Sequence, residues 1–330
     1  MTELNRVGDY FLSVLNEVVP LVNDVSYLMS FVVIGLAMLM AQIFNLLRCR
    51  SSAATATDRK VKIIIASWWR IIFFCFFAFW GGRYTMVPAF CLLTIFALRE
   101  SVSVSGLRDH KTPLLVGGFT GMGIHYASFF LHSETIFFAS FHYYLLLVLM
   151  PMIVFTSRLN RLAEVIAFYL ATMVLIVFLS FPVAVVVFES ERIGSEANTR
   201  LAVLILILLT ELNDILQFTF GKLFGRCNVV PWISPNKTEA GFIGGTFVST
   251  ILGAFVWPFF LPVSMNEGAL LGFLLSLGGI MGDLVCSGVK RYRGVKDFSN
   301  LLPGHGGAID RMDSLLVTAP IFFYFIYWMI

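Results

Sequence analysis

Charged side chains are scarce in this sequence. Asp, Glu, Lys and Arg make up 13% of its 330 residues, against about 25% in soluble globular chains. Hydrophobic residues reach 58%, Phe alone supplies 34 positions, and the mean hydropathy is +0.86. A surface built from these residues excludes a water-soluble globule and makes the bilayer the solvent. Cysteine is also sparse. Cys49, Cys75, Cys91, Cys227 and Cys286 form no CxxC pair and no zinc pattern, which excludes a disulfide framework and a structural zinc site. Cys75, Cys91 and Cys286 sit in or beside apolar runs and read as small hydrophobes. Residues 1–26 lack the basic leader and short apolar core of a cleavable signal, carrying Glu3, Asp9, Glu17 and Asp24 against Arg6. The apolar stretch Tyr10 to Val22 reads as an amphipathic surface helix. Internal repeats are missing too, which argues against an inverted-repeat transporter. His110, His125, His132 and His142 show no metal-ligand spacing and read as structural or interfacial.

What is present is a series of apolar runs near the roughly 20 residues a spanning helix needs. They fall at about 27–47, 64–82, 84–98, 113–131, 135–156, 163–188, 200–219, 242–262, 268–286 and 314–330. Gly81-Gly82-Arg83 marks a tight turn between the second and third. The predicted fold is therefore all-α: a polytopic integral membrane protein of about ten transmembrane helices. The basic residues test that count. With both termini external, alternate connections collect Arg48, Arg50, Arg59, Lys60 and Lys62; Arg99, Arg108 and Lys111; Arg158 and Arg161; Lys222, Arg226 and Lys237; and Lys290, Arg291, Arg293, Lys296 and Arg311. The opposite side receives Arg6, Arg83, Arg192 and Arg200. That asymmetry is the positive-inside pattern and places the polar connections in the cytoplasm. Residues 1–198 read as membrane helices with little intramembrane charge. Residues 199–330 read as the working region, because Glu211, Asp214 and Asp283 lie in or at the ends of apolar runs, where ionisable groups are costly and usually functional.

Three polar clusters fall on the cytoplasmic side. The longest runs from Asp283 through Ser287, Lys290, Arg291, Lys296 and Asp297 to Pro303-Gly304-His305-Gly306-Gly307-Ala308-Ile309-Asp310-Arg311-Met312-Asp313-Ser314. At 100° per residue, Asp283, Ser287 and Lys290 share one helix face. The glycines allow a sharp turn that brings amide N–H groups close to a ligand. A helix starting near Ile309 would favour an anion at its N-terminus. Asp310 and Asp313 place negative charge in the same turn, which a divalent cation would reconcile. Mg²⁺ takes one or two carboxylates and fills its other positions with water and substrate phosphates, and Asp283 and Asp310 form the candidate pair. Asp310 and Asp313 also read as ordinary first-turn residues, Lys290, Arg291 and Arg293 as topology anchors, and His305 as either a surface loop residue or a ligand or acid–base group. The second cluster, Ser234-Pro235-Asn236-Lys237-Thr238-Glu239-Ala240-Gly241, reads either as a phosphate contact or as a capped helix start with a snorkelling lysine. The third, Glu211, Asn213, Asp214 and Gln217, reads as a cation or proton site, or as an interhelical hydrogen-bond set.

These motifs, in this order, resemble those of the phosphatidate cytidylyltransferase (CDP-diacylglycerol synthase) family. The resemblance is carried by Ser287-x-x-Lys290-Arg291, Lys296-Asp297 and Pro303-Gly-His-Gly-Gly-x-x-Asp310-Arg311-x-Asp313, and covers residues 205–330 well. This chain departs from the family at Asp214-Ile-Leu-Gln217-Phe218, where Asp-Thr-x-Ala-Tyr is common, and at Ala240. The spelling suggests a divergent bacterial branch. The resemblance implies joining of CTP to phosphatidic acid, with Mg²⁺ held at Asp283 and Asp310 and room for a second cation. It also implies a site facing the cytoplasm of a bacterial inner membrane. Asp283, Asp310, Lys290, Arg291, Arg311 and His305 are then the expected catalytic residues. Ser234, Lys237, Thr238, Asp214, Asn213, Ser287, Lys296, Asp297, Gly306, Gly307 and Asp313 are the expected substrate contacts. The expected partners are CTP, the lipid phosphate, membrane lipids and a second copy in a homodimer, but no nucleic acid. Two other readings stand beside this one: a CTP-dependent lipid kinase, and an ion-binding membrane transporter.

Overall fold

The computed structural model describes residues 31–32, 35–36, 39–40, 42, 56–107, 111–151, 162–304 and 306–330. The expected surface helix at Tyr10 to Val22, most of the 27–47 span and His305 lie outside them. The described residues are helical, with two isolated β-bridges and no strand. In chain order the helices are α1 (Ala56–Trp80), α2 (Arg83–Val104), α3 (Lys111–Phe130), α4 (Glu134–Tyr144), which continues into a π-turn at Leu145–Leu149, α5 (Leu162–Phe188), the single turn α6 (Ser190–Ile193) and α7 (Glu196–Phe224). They are followed by α8 (Glu239–Phe260), α9 (Met265–Tyr292), the short α10 (Ala308–Met312) and α11 (Leu315–Met329).

The protein is thus an all-α polytopic membrane protein. Among the described residues, six helices are long and apolar enough to cross a bilayer: Lys62–Trp80 of α1, and α2, α5, α7, α8 and α9. The apolar segments Glu134–Leu149 and Leu315–Met329 are shorter. Each apolar run expected from residue 64 onward overlaps a helix among the described residues.

Two compact units divide the chain within α2. The first holds the described residues up to Ala89 together with Pro303 and Gly304. Here the expected Gly81-Gly82 turn separates α1 from α2: Gly82 takes φ +57°, and the Thr85 hydroxyl caps the end of α1 by donating to the Ala78 carbonyl at 2.8 Å. The Ser67 hydroxyl donates to the Pro303 carbonyl at 2.7 Å. Phe73 and Phe77 remain exposed, as befits a lipid-facing stripe.

The second unit carries the rest. Helices α3, α4 and α5 pack around Leu114, Tyr144, Val148, Val165, Tyr169 and Met173. Helices α7, α8, α9 and α11 form the packed group that holds the polar clusters. Their close approach is built from small residues, as membrane helix contacts are. A Cβ on Gly253 of α8 would lie 2.7 Å from the Gly272 Cα of α9. Three of these helices begin with side-chain caps. Ser195 caps α7, Thr238 caps α8, and Ser264 with Glu267 forms a capping box on α9.

Candidate active site

Helix α9 runs past the expected end of its apolar segment to Tyr292, so Asp283, Ser287, Lys290 and Arg291 lie on one continuous helix. On this helix Ser287 meets Asp283, and Lys290 does not join them. The Ser287 hydroxyl donates to Asp283 Oδ1 at 3.2 Å, one turn away. Asp283 Oδ2 pairs with Lys237 Nζ at 2.7 Å, and Lys237 also donates to Gln217 Oε1 at 3.3 Å. One lysine thus joins α7, the start of α8 and α9. Lys290 reaches in another direction, to Asp310 Oδ1 at 2.8 Å, with its ammonium 5.6 Å from the Phe298 ring centroid.

Asp310 is 5% exposed. Its second oxygen, Oδ2, accepts from the backbone N–H groups of Phe298 at 2.8 Å and Gly307 at 2.9 Å. The turn before it needs its glycines. Gly306 has φ +79°, where a side chain is strained, and a Cβ there would lie 2.6 Å from Asp310 Oδ2. The sequence placed a ligand anion at the N-terminus of this helix. The anion found there is the protein's own Glu100, from the last turns of α2. Its carboxylate accepts from Ala308 N at 2.8 Å, Ile309 N at 2.9 Å and the Ser299 hydroxyl at 2.6 Å. Glu100 was not singled out by the sequence. A lone acid beside Arg99 at the end of an apolar run looks like an ordinary helix end, and the only local signal is that the acid has no counter-charge at i+3 or i+4.

Asp214 of α7 accepts from the Ser314 hydroxyl at 2.8 Å through Oδ2, and its Oδ1 is buried with no hydrogen-bond partner among the described residues. Close packing lets these elements meet, since a Cβ on Gly282 of α9 would run into the Asp313 carbonyl. Burial pushes the Asp313 carboxyl up to about 7, reinforced by the charges of Asp283 and Asp214 and opposed by the Ser314 amide and Lys290. Arg311 lies within electrostatic reach of Glu211 and Asp214, and its Nε is buried without a hydrogen-bond partner among the described residues.

Other expected contacts are placed differently. Asn213 is 2% exposed, and its Oδ1 accepts from Ser249 and Ser276 at 2.9 and 2.8 Å, which is the interhelical set the sequence also allowed. The Thr238 hydroxyl caps α8 by accepting from Gly241 N at 3.2 Å. Ser234 shapes the preceding turn through its carbonyl, which accepts from Lys237 N. Arg291 is exposed and donates to the Ile233 carbonyl at 3.2 Å. Lys296 and Asp297 are exposed, and no described hydrogen bond joins them to the cluster.

The cluster holds Glu211, Asp214, Asp283, Asp310 and Asp313 against Lys237, Lys290 and Arg311, a surplus of negative charge in a largely buried place. Among the described residues no three acidic, His or Cys side chains form a ready metal cage. A cation that needs one or two carboxylates and otherwise binds water and phosphate fits such a set, and the unpartnered Asp214 Oδ1 points the same way.

The profile of the cytidylyltransferase family matches residues 61–329. The chain belongs to this family. It is 34% identical over 275 residues to the uncharacterized protein YnbB of Escherichia coli (strain K12), covering 81% of this chain and 87% of that one. It is 46% identical over 121 residues to the phosphatidate cytidylyltransferase of Staphylococcus aureus (strain COL), covering 36% of this chain and 46% of that enzyme. The corresponding enzyme of Staphylococcus haemolyticus (strain JCSC1435) is 45% identical over 121 residues. The alignments span just under half the length of these staphylococcal relatives. This cytidylyltransferase is therefore a membrane-embedded nucleotidyltransferase, an enzyme that uses CTP.

Proposed function

We propose that this cytidylyltransferase transfers CMP from CTP to phosphatidic acid, forming CDP-diacylglycerol and pyrophosphate. The observation that carries this reading is the pair of lysine–carboxylate contacts, Lys237 with Asp283 and Lys290 with Asp310. They stand at the ends of α8, α9 and α10 amid further carboxylates. Family membership and the names of the staphylococcal relatives support the same acceptor.

The chemistry needs positioning and charge neutralisation more than acid–base work. A phosphate oxygen of the lipid attacks the α-phosphorus of CTP, forming the new P–O–P link. The bond from the α-phosphorus to the bridging oxygen of the β-phosphate breaks, and its electron pair leaves with pyrophosphate. A phosphate monoester is largely dianionic near pH 7, its second pKa lying at about 6, so no strong general base is required. Lys237, Lys290 and Arg311 would carry the phosphate charge, Arg291 would flank it, and Ser287 would orient Asp283. Bound Mg²⁺, held at Asp283 and Asp310, would supply charge neutralisation for the leaving pyrophosphate. The surplus carboxylates Asp214 and Asp313 leave room for a second cation. Residues 199–330 carry this machinery in the proposal. The basic connections orient it to the cytoplasm, in a bacterial enzyme to the cytoplasmic face of the inner membrane.

The test is turnover of labelled CTP with Mg²⁺ and phosphatidic acid in detergent, following both the lipid product and the released phosphate. CMP-labelled lipid with stoichiometric pyrophosphate is expected. Release of CDP with phosphorylated lipid would replace this reading with a lipid kinase. Wild-type turnover in both Asp283→Asn and Asp310→Asn would remove the proposed metal site.

A further inference from the structure

Helix α10 has five residues, too few to hold its place by its own hydrogen bonds. Its position is set from outside. Glu100, 6% exposed, binds the N–H groups of Ala308 and Ile309 and the hydroxyl of Ser299. One carboxylate thus ties down both ends of the 299–308 connection. Residue 307 accommodates this only as glycine, since a Cβ there would lie 2.5–2.6 Å from the Glu100 carboxyl atoms.

The residues Glu100 holds are the chain neighbours of those that hold Asp310. Asp310 Oδ2 leans on the N–H groups of Phe298 and Gly307. Phe298 precedes Ser299, and Gly307 precedes Ala308. With Oδ2 engaged in this way, Oδ1 is the oxygen turned toward Lys290. We propose that Glu100 is a positioning residue for cytidylyl transfer. Its carboxylate fixes the Asp310 side chain so that Oδ1 is presented to the cation of the CTP complex. The proposal rests on the cation reading of Asp310 given above. Glu100 itself is spent on backbone donors and touches neither cation nor substrate.

Glu100→Gln tests it with little change of shape. An amide keeps one acceptor oxygen and turns an NH₂ group toward a backbone donor, so one α10 N–H loses its partner. The readout is Mn²⁺ binding to the purified full chain with CTP and without lipid, followed by electron paramagnetic resonance. Turnover kinetics are measured in parallel. Expected is a rise of about tenfold in the Mn²⁺ dissociation constant, the loss typical when support of a metal ligand is removed. The KM for lipid should not change, and Glu100→Asp, which is one methylene short, should not rescue. Mn²⁺ affinity within twofold of wild type, whatever the turnover, would overturn the proposal, because a merely structural Glu100 lowers the active fraction and not the affinity. Unchanged Mn²⁺ affinity in Asp310→Asn would overturn it too. If Glu100→Gln does not yield folded protein, Ser299→Ala replaces it, with a two- to fivefold weakening expected and no weakening overturning the idea. Mn²⁺ binding that depends on Glu100 and Asp310, with no CMP-lipid formed, would sink the lipid reading and leave this one standing.

Discussion

The two lysine–carboxylate pairs differ in their surroundings, and the difference is testable. In the Lys290–Asp310 pair the side chains are 12% and 3% exposed, and in the Lys237–Asp283 pair they are 19% and 20% exposed. Removing one partner of a buried pair strands the other charge and costs roughly 3–5 kcal/mol, and the cost falls as the pair becomes more exposed, to about 0–1 kcal/mol for a fully solvated one. Lys290→Met is therefore expected to lower thermal stability in detergent more than Lys237→Met does. The double variant Lys290→Met/Asp310→Asn should recover part of that loss, because the stranded carboxylate is neutralised. Recovery absent from the melting curves would mean that Asp310 is satisfied by its backbone donors alone. The shared face of Asp283, Ser287 and Lys290 was legible in the sequence, since a 3.6-residue period is a local signal, and Lys237 stood out only through its place beside Ser234-Pro235. Glu100 was not legible, because its partners lie about 200 positions along the chain and no local pattern encodes them.

At the scale of elements, the helices near the site are placed by backbone contact through glycine. Gly253 of α8 would bring a Cβ to 2.5 Å from the Gly268 carbonyl and 2.7 Å from the Gly272 Cα of α9. Neither atom can move without moving its helix. Gly253→Ala is expected to force α8 and α9 apart, losing activity together with thermal stability by several degrees. Gly123 of α3 meets nothing within 4 Å, so Gly123→Ala should gain stability, up to about 1 kcal/mol from helix propensity. Equal melting temperatures for the two variants would show that the α8–α9 seam tolerates separation. The apolar runs made the helices readable, and the Gly81-Gly82 pair made one turn readable. The π-turn at Leu145–Leu149 was not, since a run of Leu and Val carries no mark of it. The full length of α9 was hidden as well, because its last turn is basic and reads as a connection.

For the whole molecule, composition sufficed to give an all-α membrane protein, and the motif order sufficed for the family. What the sequence could not supply is how the acids from α7, α9 and the α10–α11 junction balance once they meet. Asp313 reports that balance, its carboxyl being raised to about 7 by burial and by the charges of Asp283 and Asp214. The raised value means that the folded state holds this proton more tightly than the unfolded chain. The stability contributed by this group is complete below about 4, the unfolded value, and is lost as pH rises through about 7. A cation binds the ionised form, so metal affinity follows the opposite course and rises over the same interval. The expected outcome is a crossing. Without divalent metal, wild type should lose thermal stability between about pH 4 and about pH 7 relative to Asp313→Asn. With saturating Mg²⁺ that relative loss should shrink or reverse, because a ligand at 100 times its dissociation constant adds about 2.7 kcal/mol. Melting curves of both proteins at the two pH values, with and without Mg²⁺, decide it. If the wild-type and Asp313→Asn curves run parallel under all four conditions, Asp313 is not coupled to the cation, and the carboxylate surplus of this site is neutralised in some other way.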